Sequence, residues 1–210
     1  MSRHTSALFS FWHTVVIMIA VGLLLGVVLS LVRPLSYSST VRLLIIQQLG
    51  TVDAYTASRS AERVAEDITN IIYTTTFFDK VMASSNQINQ KYFPNDPNKK
   101  RKMWGKTVDA TVTRGTGLLT IAIYHPDVQQ AELIARALSS VIVTEGWQYT
   151  SGGSISIQLV DDPLDSRWPV RPNIPLNAFA GAVLGGFAGV AFVMLKAERI
   201  RRRHQLVHEG

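Results

Sequence analysis

The chain has 210 residues, 47% of them apolar and 17% charged, with a formal net charge of +6. It contains no cysteine, which excludes a structural disulfide, a thiolate nucleophile and a cysteine zinc site. The basic excess raises nucleic acid or an anionic membrane as partners, but the cations are scattered outside Lys99 to Lys102 and Lys196 to Arg203. Without an aromatic-interleaved basic strip, no nucleic-acid partner is expected.

The apolar residues concentrate at the two ends. Thr14 to Val32 is an uncharged run of about the length that crosses a hydrocarbon core of ~30 Å as a helix. Trp12 precedes it, where an amphipathic ring suits the headgroup zone. The alternative is a cleaved signal peptide, which calls for a shorter apolar core and a small-residue cleavage site; Arg33 and Pro34 follow instead.

Thr40 to Gln47 reads as a strand. Ala61, Val64, Ala65, Ile68, Ile71 and Ile72 recur at spacings of three and four, the mark of a helix with one buried face. Thr74 to Thr76 interrupt it, and Thr76, with Asp79 three residues on, is expected to cap a second helix carrying Phe78, Val81 and Met82. Pro94 and Pro97 mark a loop, after which a third helix is expected over Lys99 to Ala110. Gly115 to Gly117 mark a turn. Leu118 to Tyr124 is a strand with Leu119, Ile121 and Ile123 on one face. A further helix opens at Pro126 with a stripe of Ala131, Ile134, Ala135, Leu138, Val141 and Ile142. Gly152 and Gly153 turn the chain into a last strand, Ile155 to Val160, where Ile155, Ile157 and Leu159 alternate with polar residues. Helices set among a few strands predict an α+β domain with one core.

Pro163 introduces a linker in which Pro169, Pro172 and Pro175 are spaced by three. A polyproline II helix has three residues per turn, so this spacing predicts a stiff strut. A second uncharged run follows from Ile174 to Leu195. Gly181, Gly185 and Gly189 recur every four residues along it, a spacing that lets helix backbones approach closely in lipid and predicts a packing face. The tail carries Lys196, Arg199, Arg201, Arg202 and Arg203, which by the positive-inside rule places both termini in the cytoplasm and the central domain outside.

The expected organisation is a cytoplasmic N-terminus at 1–12, a transmembrane helix at 13–33, an extracytoplasmic α+β domain at 34–162, a proline-rich linker at 163–175, a second transmembrane helix at 176–195 and a basic cytoplasmic tail at 196–210. No chemistry emerges from the residues. His4, His13, His125, His204 and His208 lack partners at metal-ligand spacing. His125 sits before Pro126, where a structural histidine is expected. Asp161 and Asp162 read as a solvated turn, although paired carboxylates can do acid–base work. Lys99 to Lys102 read as a solvated helix start or as a contact for an anionic glycan or lipid headgroups. No phosphate-binding glycine loop is present, and no cofactor, metal or catalytic residue is expected.

The order of these parts resembles the Wzz-type chain-length determinants, or polysaccharide co-polymerases. The resemblance covers nearly the whole chain and is most specific from Val160 through Asp162-Pro163, Pro169, Pro172 and Pro175 to Gly185 and Gly189; His125-Pro126-Asp127 with Ala131 and Ile134 also fits. It implies a non-enzymatic protein of the bacterial inner membrane. Such a protein forms homo-oligomeric rings and sets how far a polymerase extends a lipid-linked glycan, with membrane lipid, the polymerase or the nascent glycan as partners. The chain departs from the larger members in lacking their long projecting helix, a kinase domain and a tyrosine-rich tail, and Asn177 stands where many relatives carry basic residues. A short member of this kind also resembles adaptors that activate a separate cytoplasmic tyrosine kinase. An unrelated two-helix membrane sensor is the third reading.

Overall fold

The structure is a computed structural model and describes residues 12–48, 53–149 and 154–208. In chain order its elements are α1 (Trp12–Leu31), β1 (Tyr37–Gln48), α2 (Ala54–Ile72), α3 (Thr75–Ser84), a 3-10 turn at Gln90–Tyr92, α4 (Pro97–Thr107), β2 (Val108–Val112), β3 (Leu118–His125), α5 (Val128–Glu145), a 3-10 turn at Gly146–Tyr149, β4 (Ser154–Asp165) and α6 (Ile174–His208). They form two units. One holds the chain up to Leu35 and from Arg171 onward, and the other holds Ser36–Val170. The mixed α+β architecture matches the reading of the sequence.

In the domain unit, the described strands form one sheet in the order β2-β3-β1-β4, with every pairing antiparallel. Side chains alternate across a sheet with period two, and register aligns the apolar ones. Leu43 lies opposite Leu119 and Val41 opposite Ile121, while Val108, Ala110 and Val112 of β2 meet Ile123, Ile121 and Leu119 of β3. Val41, Leu43, Ile45, Leu119, Ile121 and Ile123 are fully buried. The stripe of α2 (Ala61, Val64, Ala65, Ile68, Ile72) and that of α5 (Ala131, Ile134, Ala135, Leu138, Val141, Ile142) complete this core. The other sheet face carries exposed Arg42, Ile46 and Gln158, an arrangement open to antiparallel sheets because one face can stay solvated.

Capping side chains fix where the helices start. Asp53 accepts hydrogen bonds from the backbone N–H groups of Tyr55 and Thr56, Asp96 accepts one from Lys99, and Asp127 accepts one from Gln129. Each satisfies a donor that the helix itself leaves unpaired. At α3 the cap is Thr74, which accepts from the Phe77 N–H, and not Thr76. Starting the helix two residues earlier buries both Phe77 and Phe78.

Two further boundaries differ from expectation. The helix expected over Lys99 to Ala110 ends at Thr107, and the chain continues directly into β2. Val108 is extended (φ −106°, ψ 137°) because its neighbours pair with β3. The last strand runs past Val160 to Asp165, with Pro163 inside it. It is an outer strand, where a residue without an N–H is tolerated. Leu159 is exposed although Ile155 and Ile157 pack on the core, and the register with β1 shifts on either side of Arg42. The β2–β3 turn holds Gly115 at φ 72°, the left-handed region that glycine adopts without steric cost. The turn expected at Gly152 and Gly153 lies outside the described residues.

Candidate functional site

The second unit contains α1 and α6, two helices long and apolar enough to cross a membrane. The surface of α1 is apolar on all sides, with Ile17, Leu24, Val28 and Leu29 exposed, and α6 likewise exposes Phe179, Leu184, Phe187 and Leu195. A helix that is hydrophobic all round needs an apolar surrounding. Their bounds depart from the expected 13–33 and 176–195. α1 stops at Leu31 before Pro34, and α6 starts at Ile174 and continues unbroken through the basic tail to His208.

The two helices pack along a seam of glycines. The row Gly181, Gly185 and Gly189 lies against α1 of the same chain. A Cβ placed on Gly185 would overlap the Met18 carbonyl oxygen, and one on Gly181 would overlap that of Gly22. A Cβ on Gly189 would come 3.1 Å from the Val15 Cα. Gly22 and Gly26 answer from α1, where added Cβ atoms would overlap the carbonyl oxygens of Gly181 and Asn177. The sequence assigns this row to a contact between helices; in the structure the partner is the chain's own first helix. A groove of about 540 Å³ flanks the seam, bordered by Met18, Leu25, Leu29, Arg33, Leu184 and Ala188.

A polar clasp closes one end of the seam. The Asn177 side-chain amide donates to the Ser30 hydroxyl at 3.0 Å, and Ser30 is buried. Asn173 caps α6 by accepting from the Leu176 N–H at 3.2 Å, and Pro175 stands in the first turn, where a missing N–H costs nothing. Motif reading does not single out Ser30, and it singles out Asn177 only as a departure from the resembled family. The signal was present, because a polar residue near each end of two apolar runs tends to find a partner on a neighbouring helix.

The prolines from which one stiff strut was expected sit in different settings. Pro163 is part of β4. Beyond it the chain stays beside the start of β1, since Ser166 N–H donates to the Ser38 carbonyl at 2.8 Å and Val170 N–H to that of Ser36 at 2.9 Å. The Ser166 hydroxyl also accepts from the Ser38 N–H. Pro169 therefore sits in a stretch tied to a strand. Pro172 follows a cis peptide bond and Pro175 is already helical. Lys196, Arg199, Arg201, Arg202 and Arg203 all lie along α6; side chains from residue 200 onward lie outside the described residues.

In the domain the sequence's other candidates are placed as follows. Asp161 forms an exposed ion pair with Arg42 at 3.4 Å, and Asp162 is exposed. His125 is buried. Its Nδ1 accepts from the Asp127 N–H at 3.0 Å, and its ring lies 4.2 Å from that of Tyr92. Burial holds its pKa below the ordinary value, against a weaker opposing pull from the Asp127 carbonyl and carboxylate. An unfolded His titrates near ~6.5, so the domain keeps its full stability above that pH. It loses stability as pH falls toward the lowered folded pKa, because the unfolded chain takes up a proton that the buried ring resists. The urea midpoint should fall between pH 7.5 and 5.5, and His125→Asn should flatten that slope; an equally steep slope in the variant would assign it to another group.

Among the described residues, no three His, Cys, Asp or Glu side chains are grouped to hold a metal ion. The geometry the unit does offer is mechanical: a tight two-helix seam with a polar clasp, attached to a domain whose first and last strands are paired. No protein-family model matches the chain, and a search of curated proteins finds no match.

Proposed function

We propose that the protein is a non-enzymatic membrane co-polymerase that regulates the chain length or export of a cell-surface polysaccharide. In this reading α1 and α6 cross the bacterial inner membrane, both termini are cytoplasmic, the α+β domain faces outward, and several copies assemble. The observation that carries it is a double closure. β1 follows α1 and β4 precedes α6, and these strands are paired from Ser39–Asp165 to Gln48–Ser154; the helices are themselves joined through Gly22, Gly26, Gly181 and Gly185. In this reading a domain tethered at both ends passes a change of position to its membrane helices. The resemblance to the Wzz-type proteins, with its Pro-rich approach to a glycine-rich helix, supplies the polysaccharide. The pairing of α1 with α6 also favours a retained first helix over a cleaved signal peptide.

Deleting the gene should change the length distribution of extracted surface glycan on a gel, and restoring the wild-type chain should return it. An unchanged ladder with altered tyrosine phosphorylation of a cytoplasmic kinase would replace this reading with the adaptor. An unchanged ladder and unchanged phosphorylation would replace it with the sensor.

A further inference from the structure

We propose that a cleft in the α+β domain holds one sugar unit of an acidic polysaccharide. The inference rests on the co-polymerase reading for the presence of a glycan and adds the place and the chemical class. The cleft lies between α3, the 3-10 turn and the start of α4, and has a volume of about 280 Å³. That is near the lower end of ligand pockets, whose range begins at roughly 300 Å³, and suits one ring rather than a chain segment.

Its lining combines the aromatic pair Phe78 and Phe93 with polar side chains. Phe78 and Phe93 are buried and meet edge to face at 5.0 Å. Around them stand Asp79, Gln90, Asn95 and Lys100. Gln90 is held by donating to the Met82 carbonyl at 3.2 Å, which leaves its side-chain oxygen as an acceptor. Lys100 Nζ lies 5.4 Å from the Phe78 ring centroid. Asp79 and Asn95 are exposed, their side chains hydrogen-bond no other described residue, and no described carboxylate pairs with Lys100. The neighbouring Lys99, Arg101 and Lys102 likewise pair with no carboxylate among the described residues.

Charge selects among ligands. A simple anion would gain from the lysines but meet Asp79. A neutral sugar would satisfy Asp79 and Asn95 but leave Lys100, the cation in the lining, without a counterpart. A sugar carrying a carboxylate uses both sets: its hydroxyls donate to the Asp79 carboxylate and the amide oxygens, and its acid group faces Lys100. Hydrogen bonds with one ionised partner are the stronger kind, and the adjacent cations draw a polyanion in.

The test uses the full chain in lipid nanodiscs, free of glycoside detergents. Binding of oligogalacturonate and of oligosialate is measured by calorimetry, beside a neutral maltooligosaccharide and polyglutamate. At least one acidic glycan should bind more tightly than both comparators. Asp79→Ala should weaken that binding by about tenfold or more while leaving polyglutamate binding unreduced, and Lys100→Gln should weaken it to a similar degree. Unchanged thermal midpoints would show that both variants fold. Equal affinity for polyglutamate with no effect of Asp79→Ala would reduce the cleft to a patch of charge and overturn the proposal. Equal affinity for the neutral glycan, or no binding of either acidic one, would also overturn it. A glycan ladder that still responds to gene deletion would then leave the co-polymerase reading standing and remove the cleft alone.

Discussion

Gly185→Leu should part α1 and α6. A side chain at this position has no room, since even its Cβ would overlap the Met18 carbonyl oxygen, and backbone cannot move aside as a flexible side chain can. Forcing extra carbons into a packed contact costs about 1–3 kcal/mol or more, which corresponds to roughly a tenfold or larger loss of the paired state. The reporter is a disulfide between Ser30→Cys and Asn177→Cys, placed where the two side chains now touch at 3.0 Å. The chain has no cysteine of its own, so nothing competes with this pair. Oxidative crosslinking in native membranes should proceed in the otherwise unchanged chain and drop about tenfold with Gly185→Leu. A matched comparison sharpens the result. Gly186→Ala puts its Cβ at an ordinary 3.4 Å from the Ile19 side chain and should crosslink normally, whereas Gly185→Ala should not. Equal crosslinking in all of them would mean that the seam does not hold the helices together.

The second large effect belongs to the domain. Trp104 is 1% exposed, lies edge-on to Phe78 at 5.1 Å, and donates from its indole N–H to the Ile72 carbonyl at 2.8 Å. That carbonyl is in the last turn of α2, where the helix supplies no partner of its own. Trp104→Ala removes both the packing and the donor and should destabilise the domain by about 3–5 kcal/mol, a large share of the ~5–15 kcal/mol that holds a typical domain together. Trp104→Phe keeps a ring but leaves the carbonyl unpaired, and should cost about 1–3 kcal/mol. Urea unfolding followed by circular dichroism measures both. Near-equal losses in the two variants would show that the hydrogen bond, and not the volume, dominates.

Trp104 also shows where sequence reading stops. Only Trp104 and Thr107 are buried on α4, so the helix presents no recurring apolar stripe, and the solvated start read at Lys99 to Lys102 does not announce the burial of Trp104. By contrast, α2 and α5 each bury a stripe along most of their length, and the three- and four-residue spacing picked out most of it; Ile71 is only partly buried, and Glu62, Ala137 and Ser139 are buried without having been picked out. In β3 each second residue from Leu119 is buried, and the alternation was legible for the same reason. The short β2 was not: five residues carry too little pattern, and its strand character comes from pairing with β3. Thr74, Thr75 and Thr76 stand in succession at the start of α3, and the sequence placed the cap on Thr76. The choice of Thr74 was made by the burial of Phe77 and Phe78, a tertiary cause. In the helical unit the glycine spacing announced close packing, but spacing alone does not name the partner.

The last strand has a consequence for how copies of this chain can meet. β4 is at the margin of the sheet, and a free margin offers unpaired backbone groups on which another molecule's strand could add. Here that route is obstructed along its final third. Pro163 lacks a donor, Asp161, Asp162 and Asp165 crowd negative charge onto the same stretch, and the register shift beside Arg42 disturbs the ladder. These are the devices by which natural sheets resist runaway stacking into fibres. Addition of another strand along this stretch of β4 is thus disfavoured, and contact between copies at this margin would fall to side chains rather than to continuous backbone pairing.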